Sequence, residues 1–249
     1  MKRTACTILC SFALLSAPGW AADDTVLVRV LGGVGYTAGA DQPYNAITGQ
    51  QLLDDGYFAV TRAHAQGMLL LPDSSQVGLG ANTTIQVSAF QRASTGDGSI
   101  IALTRDGSAV RFNVKHPKGA HANYTFVTPS TNIAVRGTSG LIYTGGGRDI
   151  VVCLDCSAHT LVVKTADGKT YELTSGQMLT VTSKAATRAS TSAAALQMFA
   201  ALGLTTSPAA PMPVAAASPG MLPTSAGSSP QRTMGIPPPT ATNGISIPK

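Results

Sequence analysis

Apolar and polar residues alternate along most of the chain. Apolar pairs two positions apart occur at Phe58/Val60, Met68/Leu70, Val77/Leu79, Ile85/Val87, Tyr124/Phe126 and Ile133/Val135. The same spacing continues at Leu141/Tyr143, Val151/Cys153, Leu161/Val163, Tyr171/Leu173 and Leu179/Val181, with a triplet at Val110/Phe112/Val114. A period of two marks strands with one buried face. Turn signals cut these runs short: Pro72-Asp73-Ser74, Gly96-Asp97-Gly98, Asp106-Gly107, Gly145-Gly146-Gly147, Asp167-Gly168 and Ser175-Gly176. Asp-Gly between alternating runs is a hairpin signal, because both residues tolerate positive φ. The pattern predicts an all-β domain over residues 25–183, folded as a β-sandwich, a barrel or a short β-solenoid.

The pattern changes after Ser183. Residues 184–204 are rich in Ala and predict one C-terminal α-helix, with Leu196, Phe199, Ala200 and Gly203 on one stripe and Gly203 just past its end. Residues 205–249 hold ten of the fifteen prolines, and no acid follows Glu172. Such a segment buries too little apolar surface to offset its chain entropy, so a disordered Pro-rich tail is expected.

The first residues carry an export signal. Lys2 and Arg3 precede an apolar run from Thr7 to Ala17, Pro18-Gly19 breaks it, and Gly19-Trp20-Ala21 supplies small residues at the cleavage positions. This is the tripartite pattern of a signal peptide over residues 1–21. The run is too short to cross a bilayer, and no later stretch reaches about 18 apolar residues, so no membrane span is expected after cleavage. The expected location is periplasmic or secreted, in a Gram-negative bacterium.

Composition narrows the function. Only 12% of residues are charged, and the formal net charge of +5 falls to +3 without Lys2 and Arg3. Four cations after Glu172 (Lys184, Arg188, Arg232, Lys249) outweigh that remainder, which leaves the β region near −1. No basic footprint for nucleic acid exists. Few carboxylates and histidines disfavour a multi-ligand metal centre, and no cofactor is expected.

Three constellations carry candidate chemistry. Cys153-Leu154-Asp155-Cys156 holds both cysteines that survive cleavage. In an oxidising compartment a local disulfide between Cys153 and Cys156 is the favoured reading. A zinc site would need Cys153, Cys156 and His159 with His116 or His121, a set without recognisable spacing. Ser139 in Gly137-Thr138-Ser139-Gly140, with His64 and either Asp97 or Asp106, has the chain order of a trypsin-like serine hydrolase. The strand run after Ser139 argues against it. Gly145-Gly146-Gly147-Arg148 offers a Gly-rich loop, but one joining two strands, where a hairpin tip is the simpler reading.

The order of motifs from about Val26 to Val181 resembles the FecR domain family. The residues that carry the likeness begin with Asp55 to Thr61 and the turn Leu69 to Leu79. They continue with the strand pair Leu103 to Val114, the signature Phe126-Val127-Thr128-Pro129-Ser130-Thr131-Asn132-Ile133-Ala134-Val135-Arg136-Gly137-Thr138, and the closing Leu173 to Gln177. Within the signature, Thr128, Pro129, Val135, Arg136, Gly137 and Thr138 are the matching positions. Arg136 is the sole charge between Lys118 and Arg148, either a plain outward residue or one that faces a partner. The family's founding members pass an envelope signal to a sigma factor through a cytoplasmic segment and a membrane span. Here an export signal stands in that place. The resemblance thus implies the β domain and a non-catalytic binding role as envelope sensor, signalling or scaffold protein, with a protein or cell-envelope component as partner. Two alternatives are a surface protein that self-associates through sheet edges, and a serine hydrolase using Ser139.

Overall fold

The strands expected from the alternation form two nine-stranded sheets. The structure, a computed structural model, describes residues 24–39, 42–92, 96–115 and 122–205, all within one unit. The expected signal peptide, the Pro-rich tail beyond Thr205, and His116 and His121 lie outside the described residues.

The strands are β1 (Val26–Leu31), β2 (Val34–Thr37), β3 (Asn45–Ala46), β4 (Gln50–Leu52), β5 (Phe58–Thr61), β6 (Gln66–Leu70), β7 (Gln76–Leu79), β8 (Thr84–Val87) and β9 (Ile100–Leu103). There follow β10 (Ser108–Asn113), β11 (Tyr124–Val127), β12 (Thr131–Val135), β13 (Ser139–Gly145), β14 (Arg148–Asp155), β15 (Leu161–Thr165), β16 (Thr170–Glu172), β17 (Gln177–Thr182) and β18 (Ala186–Ser190). A single helix, α1 (Ala193–Ala201), closes the described residues.

The first sheet has the order β4-β1-β6-β7-β10-β13-β14-β17-β18 and the second β3-β2-β5-β8-β9-β11-β12-β15-β16. The chain passes back and forth between the sheets, and apart from the exchanged first pair each sheet is laid down in chain order. Every ladder is antiparallel except β9 with β11. A solenoid would stack parallel coils; this is a sandwich whose strands are added progressively.

The core lies between the sheets. One alternate set from most strands enters it: Leu27, Leu69, Val77, Leu79, Val110, Phe112, Ile142, Val151 and Leu179 from the first sheet, and Ile85, Ile101, Tyr124, Phe126, Ile133 and Val163 from the second. The Phe112 and Phe126 rings meet at 5.1 Å between centroids. The first sheet is also covered on its outer face. There Ala109, Leu141, Ile150 and Val152 pack with Phe199 and Leu204.

The expected helix over 184–204 needs correction. Residues 186–190 are β18, laddered on β17 with Val181 opposite Ala186 and Gln177 opposite Ser190. Isolated Ala residues favour a helix, but a free edge on β17 adjoins this segment, and ladder bonds along five residues override a weak local preference. The helix itself is shorter, with Ser192 as its N-cap accepting from the Ala195 amide at 3.2 Å. Its end has the expected form: Gly203 has φ +84°, its amide donates to Ala200 O at 2.9 Å, and the Leu204 amide donates to Phe199 O at 3.0 Å. That is the Schellman arrangement, with Leu204 and Phe199 in one apolar cluster.

Candidate functional site

The family-like signature spans the whole of β12 and is split between its two ends. At the start, Thr128-Pro129-Ser130-Thr131 forms the turn from β11 to β12, with the Thr128 amide donating to Thr131 O at 2.9 Å. Pro129 lies outside both ladders, where a missing N–H costs nothing. The Thr128 hydroxyl donates to the Asp149 carboxylate and accepts from the Thr131 amide at 2.9 Å. The two threonine hydroxyls stand 2.8 Å apart, and the Ser130 amide reaches Asp149 Oδ2 at 3.3 Å. Asp149 is 1% exposed and Thr131 2%. A buried carboxylate is tolerable only when hydrogen-bonded, and this turn supplies the donors. Asp149 belongs to β14 of the first sheet, so the group ties the sheets together at one end of the sandwich.

The other end holds Val135 to Thr138. Val135 is fully buried in the core, and Arg136 is exposed, its amide donating to Thr160 O at 2.8 Å. Gly137 has φ +77°, a conformation that side-chain-bearing residues rarely adopt. The Thr138 hydroxyl donates to the Asp155 carbonyl across to β14. Beside it the ladder of β13 on β14 slips: Ser139 faces Asp155 while Gly140 faces Cys153, so Leu154 is the extra residue of a bulge. Cys153 and Cys156 close this bulge as a disulfide with their Cα atoms 6.1 Å apart. Cys153 is fully buried in the core. The signature is therefore largely spent on holding two sheets in register, and of its matching positions Pro129 and Arg136 are the ones left to solvent.

The residues of the possible hydrolase do not meet. Gly67, Leu79, Val110 and Ile142 lie in one row across β6, β7, β10 and β13. His64 lies in the turn before β6, on one side of this row, and Ser139 lies three residues to the other side. Three strand spacings sideways and that offset along the strands separate them by on the order of 20 Å. Asp106 sits at the His64 end, accepting from the Gly146 amide at 2.9 Å. Asp97 pairs with Arg92 at 3.3 Å. Ser139 itself is 7% exposed, and its hydroxyl has no hydrogen-bond partner among the described residues. A nucleophile needs a base within hydrogen-bond reach, and among the described residues none bonds to the Ser139 hydroxyl.

The other candidates are equally placed by their elements. Gly145, Gly146 and Gly147 form the hairpin between β13 and β14, with Gly146 at φ +62° and Gly147 at φ +70°. His159 is exposed and pairs with Glu172 at 2.8 Å rather than joining the cysteines. Among the described residues no three His, Cys, Asp or Glu side chains cluster as metal ligands.

What the sandwich presents outward is its sheet edges. The edges of the first sheet are β18 and β4, and those of the second are β16 and β3. β18 is the longest, five residues against three, three and two. Four of its five residues are exposed, it contains no proline, and Arg188 is its one charge. An edge this open is a template for one more strand. Sequence reasoning raised sheet edges in general; the particular edge lay hidden in a segment read as helix. Two buried charges, Asp149 and Arg111, escaped that reading altogether.

Comparison with known proteins bears on this β region. Residues 58–159 match the family described as FecR protein. No curated protein matches the chain. Among solved structures it is similar to a crystal structure, at 2.50 Å resolution, of a proposed anti-sigma factor from Parabacteroides distasonis ATCC 8503. The TM-score is 0.46 and the identity 16%, over 57% of this chain and 63% of that one. A second crystal structure described in the same words, at 1.65 Å, gives 0.44 and 16%, over 55% of this chain and 60% of the other. In both cases the chain spans less than two thirds of the structure it resembles.

Proposed function

We propose that this FecR-type chain is an exported, non-catalytic binding domain that serves envelope sensing or signalling, and that it recognises a protein partner by strand addition at β18. The FecR match over residues 58–159 carries the reading. Two observations shape it. The signature residues hold the sheets together instead of assembling a reaction centre. The longest free edge combines exposed backbone with a single charge. Main-chain bonds along such an edge supply affinity, and alternate side chains supply selectivity.

The test is site-specific photo-crosslinking in the organism of origin. A photoreactive residue at Thr187 or Ala189 is expected to give a discrete protein adduct, and one at Asn132, on the outer face of the second sheet, is not. Equal labelling from all three sites, or none from β18, overturns edge recognition. Self-association through the same edge is the second reading. It predicts that the adduct from Thr187 is a dimer of this chain and that the apparent mass in light scattering rises with concentration.

A further inference from the structure

The ladder registers sort the turns, and with them the charges, onto two opposite ends of the sandwich. At one end lie the turns that hold Gly32-Gly33, Arg62, Arg105, Gly146, Lys169 and Lys184. At the other lie those that hold Asp54-Asp55, Asp73, Asp97, Arg136 and Asp155. The cations at the first end are Arg62, Arg105, Arg148, Lys169 and Lys184, with Arg29 and Lys164 just inside it, and all are exposed. The carboxylates there are Asp106, Asp149 and Asp167, and Asp149 is buried under the Thr128 turn. The opposite end holds Asp24, Asp54, Asp55, Asp73, Asp97, Asp155 and Glu172 against Arg92, Lys115 and Arg136. Arg111 and Arg188 lie between the ends. Among the described residues, seven cations against three carboxylates give +4 at one end, and the reverse gives −4 at the other, with histidines neutral.

The two ends do not cancel. β14 alone, from Arg148 to Asp155, separates them by about 23 Å at strand rise, against a screening length of about 8 Å at physiological salt. A partner at one end therefore meets that end's charge and not the near-neutral sum. The cations are also held in place. Arg29 Nε donates to Gly32 O at 2.6 Å, which fixes its guanidinium at the β1–β2 turn. The Arg62 guanidinium stands 4.3 Å from the centre of the Tyr44 ring. Of these cations, Lys169 alone pairs with a carboxylate among the described residues. Six strand positions separate β1 from β17 in the first sheet, so the array is on the order of 30 Å wide. No single small anion reaches across such an array, whereas a plane of headgroups meets all of it.

We propose that the cationic end is a docking face for an anionic lipid surface, whose headgroup phosphates it meets with the strands standing upright on the membrane plane. Each basic residue brought close to such a surface strengthens binding roughly fivefold. The acidic end is repelled by the same surface, so the molecule lands in one orientation. The β18 edge then runs away from the lipid along the side of the sandwich, and docking needs no partner there.

Vesicle co-sedimentation tests this on the chain spanning residues 22–249. The protein is expected to bind vesicles of equimolar phosphatidylcholine and phosphatidylglycerol, to ignore pure phosphatidylcholine, and to come off as salt rises. R105E/K184E, at the cationic end, is expected to weaken binding at least about tenfold. K115E/R136E makes the same change in net charge at the acidic end and is expected to alter binding less than about twofold. All four residues are exposed, and unchanged thermal melting shows the sandwich intact. Equal losses from the two double variants would mean that net charge alone governs binding, and would overturn the docking face. So would undiminished binding of R105E/K184E, or no binding by the unaltered protein. Inorganic phosphate, matched to the lipid phosphate, should not displace the protein; displacement would mark a discrete phosphate site instead. Tighter binding to duplex DNA than to these vesicles would likewise overturn the lipid assignment.

Discussion

The Thr128 hydroxyl donates to the Asp149 carboxylate, and that bond ties the β11–β12 turn of the second sheet to β14 of the first. Removing either partner strands the other in a buried place. Hydrogen bonds to charged groups are worth about 1.5–3 kcal/mol, so Thr128→Val and Asp149→Ala should each lose about 2–3 kcal/mol in urea unfolding. The double variant should lose clearly less than the sum, because the two groups share one interaction. Additive losses would show that the bond contributes little.

The Cys153–Cys156 bridge closes a short loop, so its stabilisation is modest, about 2 kcal/mol by the loop-entropy relation. Thiol titration of the unfolded chain spanning residues 22–249 should find no free thiol without reductant and two with it. Two thiols before reduction would refute the bridge.

Gly140 and Gly107 should respond oppositely to expectations from φ alone. A Cβ on Gly140 would stand 2.4 Å from Phe112 Cζ and 2.5 Å from the Val152 carbonyl oxygen, a backbone atom that cannot swing away. Gly140→Ala should therefore cost more than about 3 kcal/mol or prevent folding, as overpacking of a tight ladder does. Gly107, with φ +85° and open space around it, should cost about 1 kcal/mol as Ala. Thermal melting of the two variants ranks them directly.

Asp167 gives a pH signature at the β15–β16 hairpin. Its carboxyl is held down to about 2, first by the Thr165 hydroxyl and then by Lys169, whose ammonium lies 2.9 Å away. A folded pKa below the unfolded one means stability present above the ordinary carboxylate range and lost as pH falls towards about 2. Wild type should melt slightly above Asp167→Asn at neutral pH, and the two curves should converge between about pH 4 and pH 2. The effect is small because the pair is exposed. A difference that persists at pH 2 would contradict this origin.

Ser139 should behave as a structural residue. A broad fluorophosphonate probe should leave the folded protein unlabelled, and Ser139→Ala should melt at the same temperature or slightly above, since it removes a buried hydroxyl without a partner among the described residues. Labelling that disappears in the alanine variant would reinstate a hydrolase.

Much of this was legible in the sequence, and the exceptions share a cause. Strands with one buried face announced themselves by alternation, and Asp106-Gly107 and Asp167-Gly168 fell in turns as their chemistry requires. Asp149 could have been found: it stands two before Val151 and four before Cys153, on the face that those residues bury. Arg111 could not. It occupies the outward position between Val110 and Phe112, yet it is 1% exposed, with Gly203, Leu204 and Thr205 beside it on that face. Burial holds its pKa below the ordinary guanidinium value. β18 was missed for a related reason, since a strand of small residues added to a waiting edge draws its stability from its neighbour.

The ordered succession of strands has a kinetic meaning. Among the described residues the most widely separated ladder partners are Val26 and Leu70, so each described strand finds its mate within a short length of polypeptide. Loop closure then costs little at each step. The sandwich can be assembled from its N-terminal end as chain arrives, each hairpin docking on the last, with β18 and α1 as the final pieces. A truncation inside the β region should consequently leave a shorter sandwich with a raw edge, prone to pairing with the next available strand, rather than an unfolded chain.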